Sequence, residues 1–170
     1  MKILALDSSG LVASVAVVEN DTLLAEYTVN YKKTHSQTLL PMLDEISNMT
    51  ELDLSTIDAI AVAGGPGSFT GLRIGSATAK GLGLALEKPL ISIPTTAAIA
   101  YNIWDTDKFV CPIMDARRNQ VYTGVYCYTD HRLDTVWEQD TMSIEALAEG
   151  LNCLDHEVIF LGDGVAVYRE

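Results

Sequence analysis

Apolar positions along this chain fall into two alternating periods. Lys2–Asp7 is an apolar run ending in a carboxylate and predicts a buried strand. Val12–Val18 and Thr22–Val29 alternate apolar with polar residues and predict two more strands, joined by Glu19-Asn20-Asp21. The period then lengthens. Leu39, Leu43, Ile46 and Met49, flanked by Leu40 and Met42, follow helical spacing, and Thr34 with Gln37 fits a capping box before them. Pro41 falls inside that pattern and is expected to kink the helix by removing a hydrogen bond. Asp58–Ala63 predicts a strand, 70–87 a second helix, Leu90–Ile93 a short strand and Thr95–Trp104 a helix.

The plan then restarts. Val110–Asp115 is again an apolar strand ending in aspartate, Gln120–Thr129 is rich in β-branched and aromatic residues, and Thr135–Asp140 predicts a third strand. Ser143–Leu151 predicts a helix, with Ser143 as N-cap and Glu145 favourably placed in the first turn. Val158–Leu161 runs as a strand into Gly162-Asp163-Gly164, and Val165–Glu170 could begin a helix. The order β-β-β-α-β therefore occurs twice, with Asp7 and Asp115 in matching places. Such repeats predict mixed sheets covered by helices, an α/β chain of two lobes similar to the actin-like nucleotide-binding architecture. The expected division is an N-terminal lobe over 1–94, a connecting helix and loop over 95–109, and a C-terminal lobe over 110–170 that stops before it is complete.

One segment departs from these periods. Residues 64–75, GGPGSFTGLRIG, place Gly64, Gly65, Pro66, Gly67 and Gly71 between a strand and a helix, which specifies an unusual backbone path. Gly71, Gly75, Ala79 and Gly83 then recur every fourth residue on one thin helix face. Each glycine costs the helix about 1 kcal/mol relative to alanine, so something must press closely there. The expectation is a second subunit; the plainer alternative is the helix's own sheet.

Composition narrows the partners. With 11 Lys and Arg against 23 Asp and Glu, the net charge is −12. A chain this acidic, without a basic stripe, is expected to repel tRNA or DNA unless a basic partner supplies the contact. Cys111, Cys127 and Cys153 are too few and too scattered for a zinc site or a disulfide framework, and are expected to be buried, reduced thiols. No apolar run approaches membrane-spanning length and the N-terminus is too short in apolar residues for a signal peptide, so a cytoplasmic location is expected.

Candidate chemistry is sparse. Asp7 ends a strand where an actin-like ATPase faces its metal–phosphate site, but Ser8 and Ser9 crowd the turn before Gly10; the alternative is an aspartate bonded to its own turn. The glycine loop lacks both the Gly-Lys-Ser/Thr of a Walker loop and the third glycine of G-x-G-x-x-G, since Thr70 stands there. Amides around Gly65, Gly67, Ser68 and Thr70 at a helix start could still hold an anion, or serve only as structure. Arg73 opposes the helix dipole and is expected to pair with a carboxylate, internal or on a partner. His35, His131 and His156 are far apart, and His35 and His131 are expected at the solvated surface; Ser36 and Ser68 lack a nucleophile elbow. Asp115-Ala116-Arg117-Arg118 is either a reactive cluster or a salt-bridged hairpin turn.

These segments together resemble one family, the bacterial TsaB (YeaZ) proteins. The likeness runs through ILALDSS (3–9), HSQTLLPMLDE (35–45), DAIAVAGGPGSFTGLRIG (58–75) and DARRNQVYTGVY (115–126). The resemblance implies an actin-like (ASKHA, RNase H-like) fold and a degenerate relative of the transferase TsaD. TsaD moves a threonylcarbamoyl group onto N6 of adenosine 37 in tRNAs reading codons that begin with A. It implies no cofactor and no catalytic residue in this chain. TsaD relatives bind metal through H-x-x-x-H, and Thr95 and Ile99 stand at the matching positions. The implied partners are TsaD, the ATPase TsaE in a larger complex, and a second TsaB when TsaD is absent, with no tRNA bound alone and no membrane. The implied contact is a bundle of the first two helices, through His35, Leu39, Met42, Leu43, Ile46, Gly71, Leu72, Gly75, Ala79 and Gly83. The other reading is an active ATP-dependent transferase, kinase or metallopeptidase of the same fold; a third is a self-associating structural protein. The family normally continues beyond the equivalent of Glu170.

Overall fold

In the computed structural model, residues 1–31 and 35–169 are described. Thr34, half of the expected capping box, lies outside them. Strands β1 (Lys2–Asp7), β2 (Ala13–Glu19) and β3 (Thr22–Val29) form a meander, followed by a short 3-10 turn at His35–Gln37 and helix α1 (Leu39–Thr50). Strand β4 (Ala59–Gly65), helix α2 (Phe69–Leu86) and strand β5 (Leu90–Pro94) complete this half. The second half holds α3 (Thr95–Ala100), β6 (Phe109–Arg117), β7 (Gln120–Thr129), β8 (Arg132–Ser143), α4 (Ile144–Asn152), β9 (Val158–Leu161) and α5 (Gly164–Tyr168). The chain divides into two compact units, Met1–Ile93 and Pro94–Glu170.

The repeat inferred from element order is present in the sheets. The first sheet has strand order β3-β2-β1-β4-β5 and the second β8-β7-β6-β9. In each, the first strand pairs antiparallel with the second and parallel with the strand after the helix. Register explains the first core. Leu4 stands opposite Val17 and Ile60, and Leu6 opposite Val15 and Val62, so all six side chains share one face. Onto that face α1 lays Leu39, Met42, Leu43 and Ile46, and α2 lays Ala79. Burying each leucine fully contributes about 2 kcal/mol. In the second unit Cys111, Ile113, Val121 and Val125 meet Leu147 and Leu151 of α4. Ser143 caps α4 as expected, its hydroxyl accepting from the Ala146 N–H at 3.1 Å.

Three expectations change. Pro41 does not kink α1, because the helix begins at Leu39 and the proline is its third residue. There its missing N–H is one of the first-turn groups that lack an intrahelical acceptor anyway. Helix α3 ends at Ala100, short of Trp104, where the Asn102 side-chain amide donates to the Ile99 carbonyl at 2.9 Å. That helix packs on β6 and β7 and belongs to the second unit.

Candidate functional site

The glycine-rich loop and the turn after β1 close on one another. The Asp7 carboxylate accepts from the Ser9 N–H at 2.8 Å, which shapes the turn. The Ser8 hydroxyl donates to the Gly71 carbonyl at 2.9 Å, and the Ser9 carbonyl accepts from the Ser68 N–H at 2.6 Å. Ser8 and Ser9 are only 2% and 3% exposed. His35 Nε2 lies 2.9 Å from the Gly10 carbonyl, which can only accept, so that nitrogen carries the proton. His35 is thus half-buried and bonded, not a solvated surface residue.

Two glycines make this closure possible. Gly65 ends β4 at φ +107°, a conformation other residues rarely adopt. A Cβ on Gly71 would collide with the Ser8 carbonyl oxygen, so the first turn of α2 can approach β1 only with glycine there. The Ser68 hydroxyl caps the helix by accepting from the Gly71 N–H at 3.3 Å. The N–H groups of Ser9, Ser68 and Gly71 are therefore all engaged within the chain. Asp7 makes the bond to its own turn that one of its two readings expected.

The stripe of small residues on α2 is corrected by the same geometry. Gly71, Gly75, Ala79 and Gly83 are the buried residues of α2. Gly75 faces Ser8 and Val62, and Gly83 faces Leu90, so what presses against the stripe is the chain's own sheet. Leu39, Met42, Leu43 and Ile46 are buried in the same core. Of the residues expected to touch a partner, only His35 and Leu72 keep partial exposure. The physical reason is that a helix seated closely on a sheet needs a thin face just as one seated on another helix does.

The opposite face of α2 is open, and the sequence reading missed it. Ala77, Gly81 and Ala85 form a second row at four-residue spacing, all exposed, and nothing lies within 4 Å of where a Gly81 Cβ would stand. Leu84 is 85% exposed beside them and Phe69 73% exposed at the helix start. Leu40 and Met49 are exposed on α1. The signal was available in the sequence as Leu84 and Phe69, apolar residues off the buried stripe. Thr70 is exposed as well. Arg73 lies 5.2 Å over the Phe69 ring and, among the described residues, forms no ion pair, so the internal carboxylate expected for it is not found.

In the second unit the Asp115 carboxylate accepts from the Arg117 N–H at 2.8 Å and from the Tyr168 hydroxyl at 3.2 Å. The Asp115 N–H donates to Asp163 Oδ1 at 3.1 Å. Arg117, Arg118 and Asn119 all adopt left-handed φ, at 66°, 54° and 59°. The segment is a hairpin turn, but neither arginine forms an ion pair among the described residues, so the expected salt bridge is absent. Thr95 is buried, and Thr96 lies 2.7 Å from the Tyr126 hydroxyl and donates to Gln139 at 3.0 Å. His131 sits 2.6 Å from Asp105 and His156 3.0 Å from the Asp107 carbonyl. Among the described residues no three His, Cys, Asp or Glu gather as a metal-ligand set, and no helix is long and apolar enough to cross a membrane. The cysteines are free, but only Cys111 is buried; Cys127 is half-buried and Cys153 exposed. Burial pushes the Cys111 thiol up to about 11.

Comparison with known proteins agrees with this architecture. Residues 22–170 match the family described as "TsaD: tRNA N6-adenosine threonylcarbamoyltransferase". The chain is 35% identical over 170 residues to the Bacillus subtilis (strain 168) "tRNA threonylcarbamoyladenosine biosynthesis protein TsaB", covering 100% of this chain and 74% of that protein. Among solved structures, "YeaZ from Pseudomonas aeruginosa" superposes with a TM-score of 0.75 at 31% identity, over 85% of this chain and 68% of the other. The activator of the 2-hydroxyisocaproyl-CoA dehydratase from Clostridium difficile shares the fold, with a TM-score of 0.50 at 14% identity over 89% of this chain and 53% of that one. With its doubled β-β-β-α-β plan, its locked glycine loop and this likeness over its whole length, the chain belongs to the TsaB (YeaZ) family and has the actin-like ATPase fold.

Proposed function

We propose that this chain is a non-catalytic subunit that holds a TsaD-type transferase in working form during threonylcarbamoyl transfer to adenosine 37 of tRNA. The observation that carries this reading is the closure of the turn after β1. An actin-like ATPase needs free amides and an open backbone there to seat phosphate. Here Ser8 and Ser9 are buried, and the Ser9, Ser68 and Gly71 amides are already bonded.

The partner surface in this reading is the outward side of the first two helices. Ala77 and Gly81 let a foreign helix approach closely, while Leu84, Phe69 and Leu40 supply apolar contact. The occupants are TsaD, or a second copy of the chain when TsaD is absent, with TsaE joining the larger complex. The work is cytoplasmic and needs no cofactor held by this chain. Its acidity, −12 overall, keeps it from binding tRNA alone.

Three experiments test the reading. Co-purification with a TsaD-type protein, then a threonylcarbamoyl-transfer assay with and without this chain, should show association and dependence; transfer at full rate without the chain would refute it. Leu84→Glu should abolish association in size exclusion while circular dichroism stays unchanged. Calorimetry with ATP and magnesium should show no binding by the chain alone. Tight binding with turnover would favour the enzyme reading instead.

A further inference from the structure

The hairpin turn at Arg117-Arg118 is built to present two guanidinium groups outward. With 23 acidic against 11 basic residues, a guanidinium in this chain has many carboxylates to choose from. Two carboxylates at this turn bond to other groups. Asp115 accepts from the Arg117 N–H and the Tyr168 hydroxyl, and Asp163 accepts from the Asp115 N–H. Asp115 Oδ1 takes one backbone and one phenol donor and Asp163 Oδ1 one backbone donor, and among the described residues neither arginine has an ion-pair partner.

The turn is also held firmly. Three successive non-glycine residues in left-handed conformation persist only where the surroundings over-determine them. Here the Tyr168 hydroxyl braces both sides of the hairpin, reaching Asp115 on β6 and the Gln120 carbonyl on β7 at 3.4 Å. Two adjacent arginines on such a turn offer planar forks to the oxygens of a phosphodiester, which Arg contacts bidentately. No pocket wall surrounds them: Asp115, Arg117, Arg118, Asn119 and Gln120 are all exposed. An open pair of this kind suits a polyanion anchored elsewhere better than a free small ligand, which would need enclosure.

We infer that Arg117 and Arg118 contact tRNA phosphates within the assembled transferase complex. This rests on the reading in the previous subsection, which supplies both the RNA and the basic partner that must hold it. The chain's overall negative charge makes the contribution an increment, visible only in the complex.

The test uses the full chain assembled with TsaD-type and TsaE-type partners, and measures tRNA affinity by fluorescence anisotropy across a salt series. Size exclusion before RNA is added first shows whether the complex has formed. For the R117Q/R118Q double variant the complex should assemble normally. Its tRNA affinity should fall several-fold at low salt, and its slope of log affinity against log salt should become shallower by about 1 to 2. R117K/R118K, which keeps the charge, should retain the wild-type slope. An intact complex with unchanged affinity and slope overturns the inference and leaves the partner reading standing. Loss of assembly in R117Q/R118Q also overturns it, by making the turn a protein contact. If the wild-type chain fails to assemble, the partner reading falls and this inference with it.

Discussion

The turns after β1 and β6 start from the same device and end in opposite roles. In each, an aspartate, the last residue of β1 and two before the end of β6, accepts from the N–H two residues on, at 2.8 Å in both. What differs is the element that follows the parallel strand. After β4 comes a glycine-rich loop and the 18-residue α2, which settles onto Ser8 and Ser9 and buries them. After β9 comes Gly162-Asp163-Gly164 and the five-residue α5, which braces the hairpin and leaves Arg117 and Arg118 in solvent. A duplicated strand plan therefore dictates where a turn lies, and the helix after the fourth strand decides whether that turn is sealed or displayed.

The sharpest way to break this contrast is Gly71→Ala. Its methyl would meet the Ser8 backbone carbonyl, and overpacking against backbone should cost about 3 kcal/mol, read as a lower urea midpoint. A loss below about 0.5 kcal/mol would mean the two loops are not tightly seated. Ser8→Ala keeps the volume but removes the donor to the buried Gly71 carbonyl, and should cost about 1–2 kcal/mol by the same measurement.

Gly81→Ala, on the open side of the same helix, should have the reverse sign. Nothing crowds the position, so helix propensity alone should stabilise by about 0.5–1 kcal/mol. Opposite signs for Gly71 and Gly81 would place the sheet on one side of α2 and open space on the other.

The smallest effect concerns alkaline pH and the second unit. Cys111 is held neutral by burial, its folded value raised from 9.0 to about 11, while in the unfolded chain it titrates near 9.0. Between those values the unfolded state loses the proton first, so the contribution is present below pH 9 and fades as pH rises towards 11. Unfolding midpoints should fall over that window, and Cys111→Ala should lessen the fall. Thiol labelling under native conditions should modify exposed Cys153 and spare Cys111.

Much of the fold was legible because strand periodicity is local. Thr22–Val29, Gln120–Thr129 and Val158–Leu161 begin and end where alternation and β-branched residues said they would. The doubled order of elements was legible for the same reason. The orientation of α2 was not. Spacing identifies a thin face without saying what lies against it, and α2 carries two such rows, Gly71-Gly75-Ala79-Gly83 and Ala77-Gly81-Ala85, on opposite sides. Pro41 misled because its effect depends on how far it lies from the helix start, the least certain boundary in any sequence. An internal carboxylate for Arg73 was misjudged because, within the chain, the guanidinium lies over a ring one turn back. At the turn after β1, Ser8 and Ser9 signalled crowding, but the loop that fills the space comes from some sixty residues further along the chain.

Because α2 is stripped nearly to bare backbone on both flanks, it has little side-chain padding to absorb movement. Gly71 and Gly75 carry no side chain where they face Ser8, so the serine turn bears directly on the backbone of the helix. If the partner reading proposed above holds, a substitution at Ser8 that touches no neighbouring protein is expected to weaken assembly, and a partner on the outer flank to steady the serine turn within.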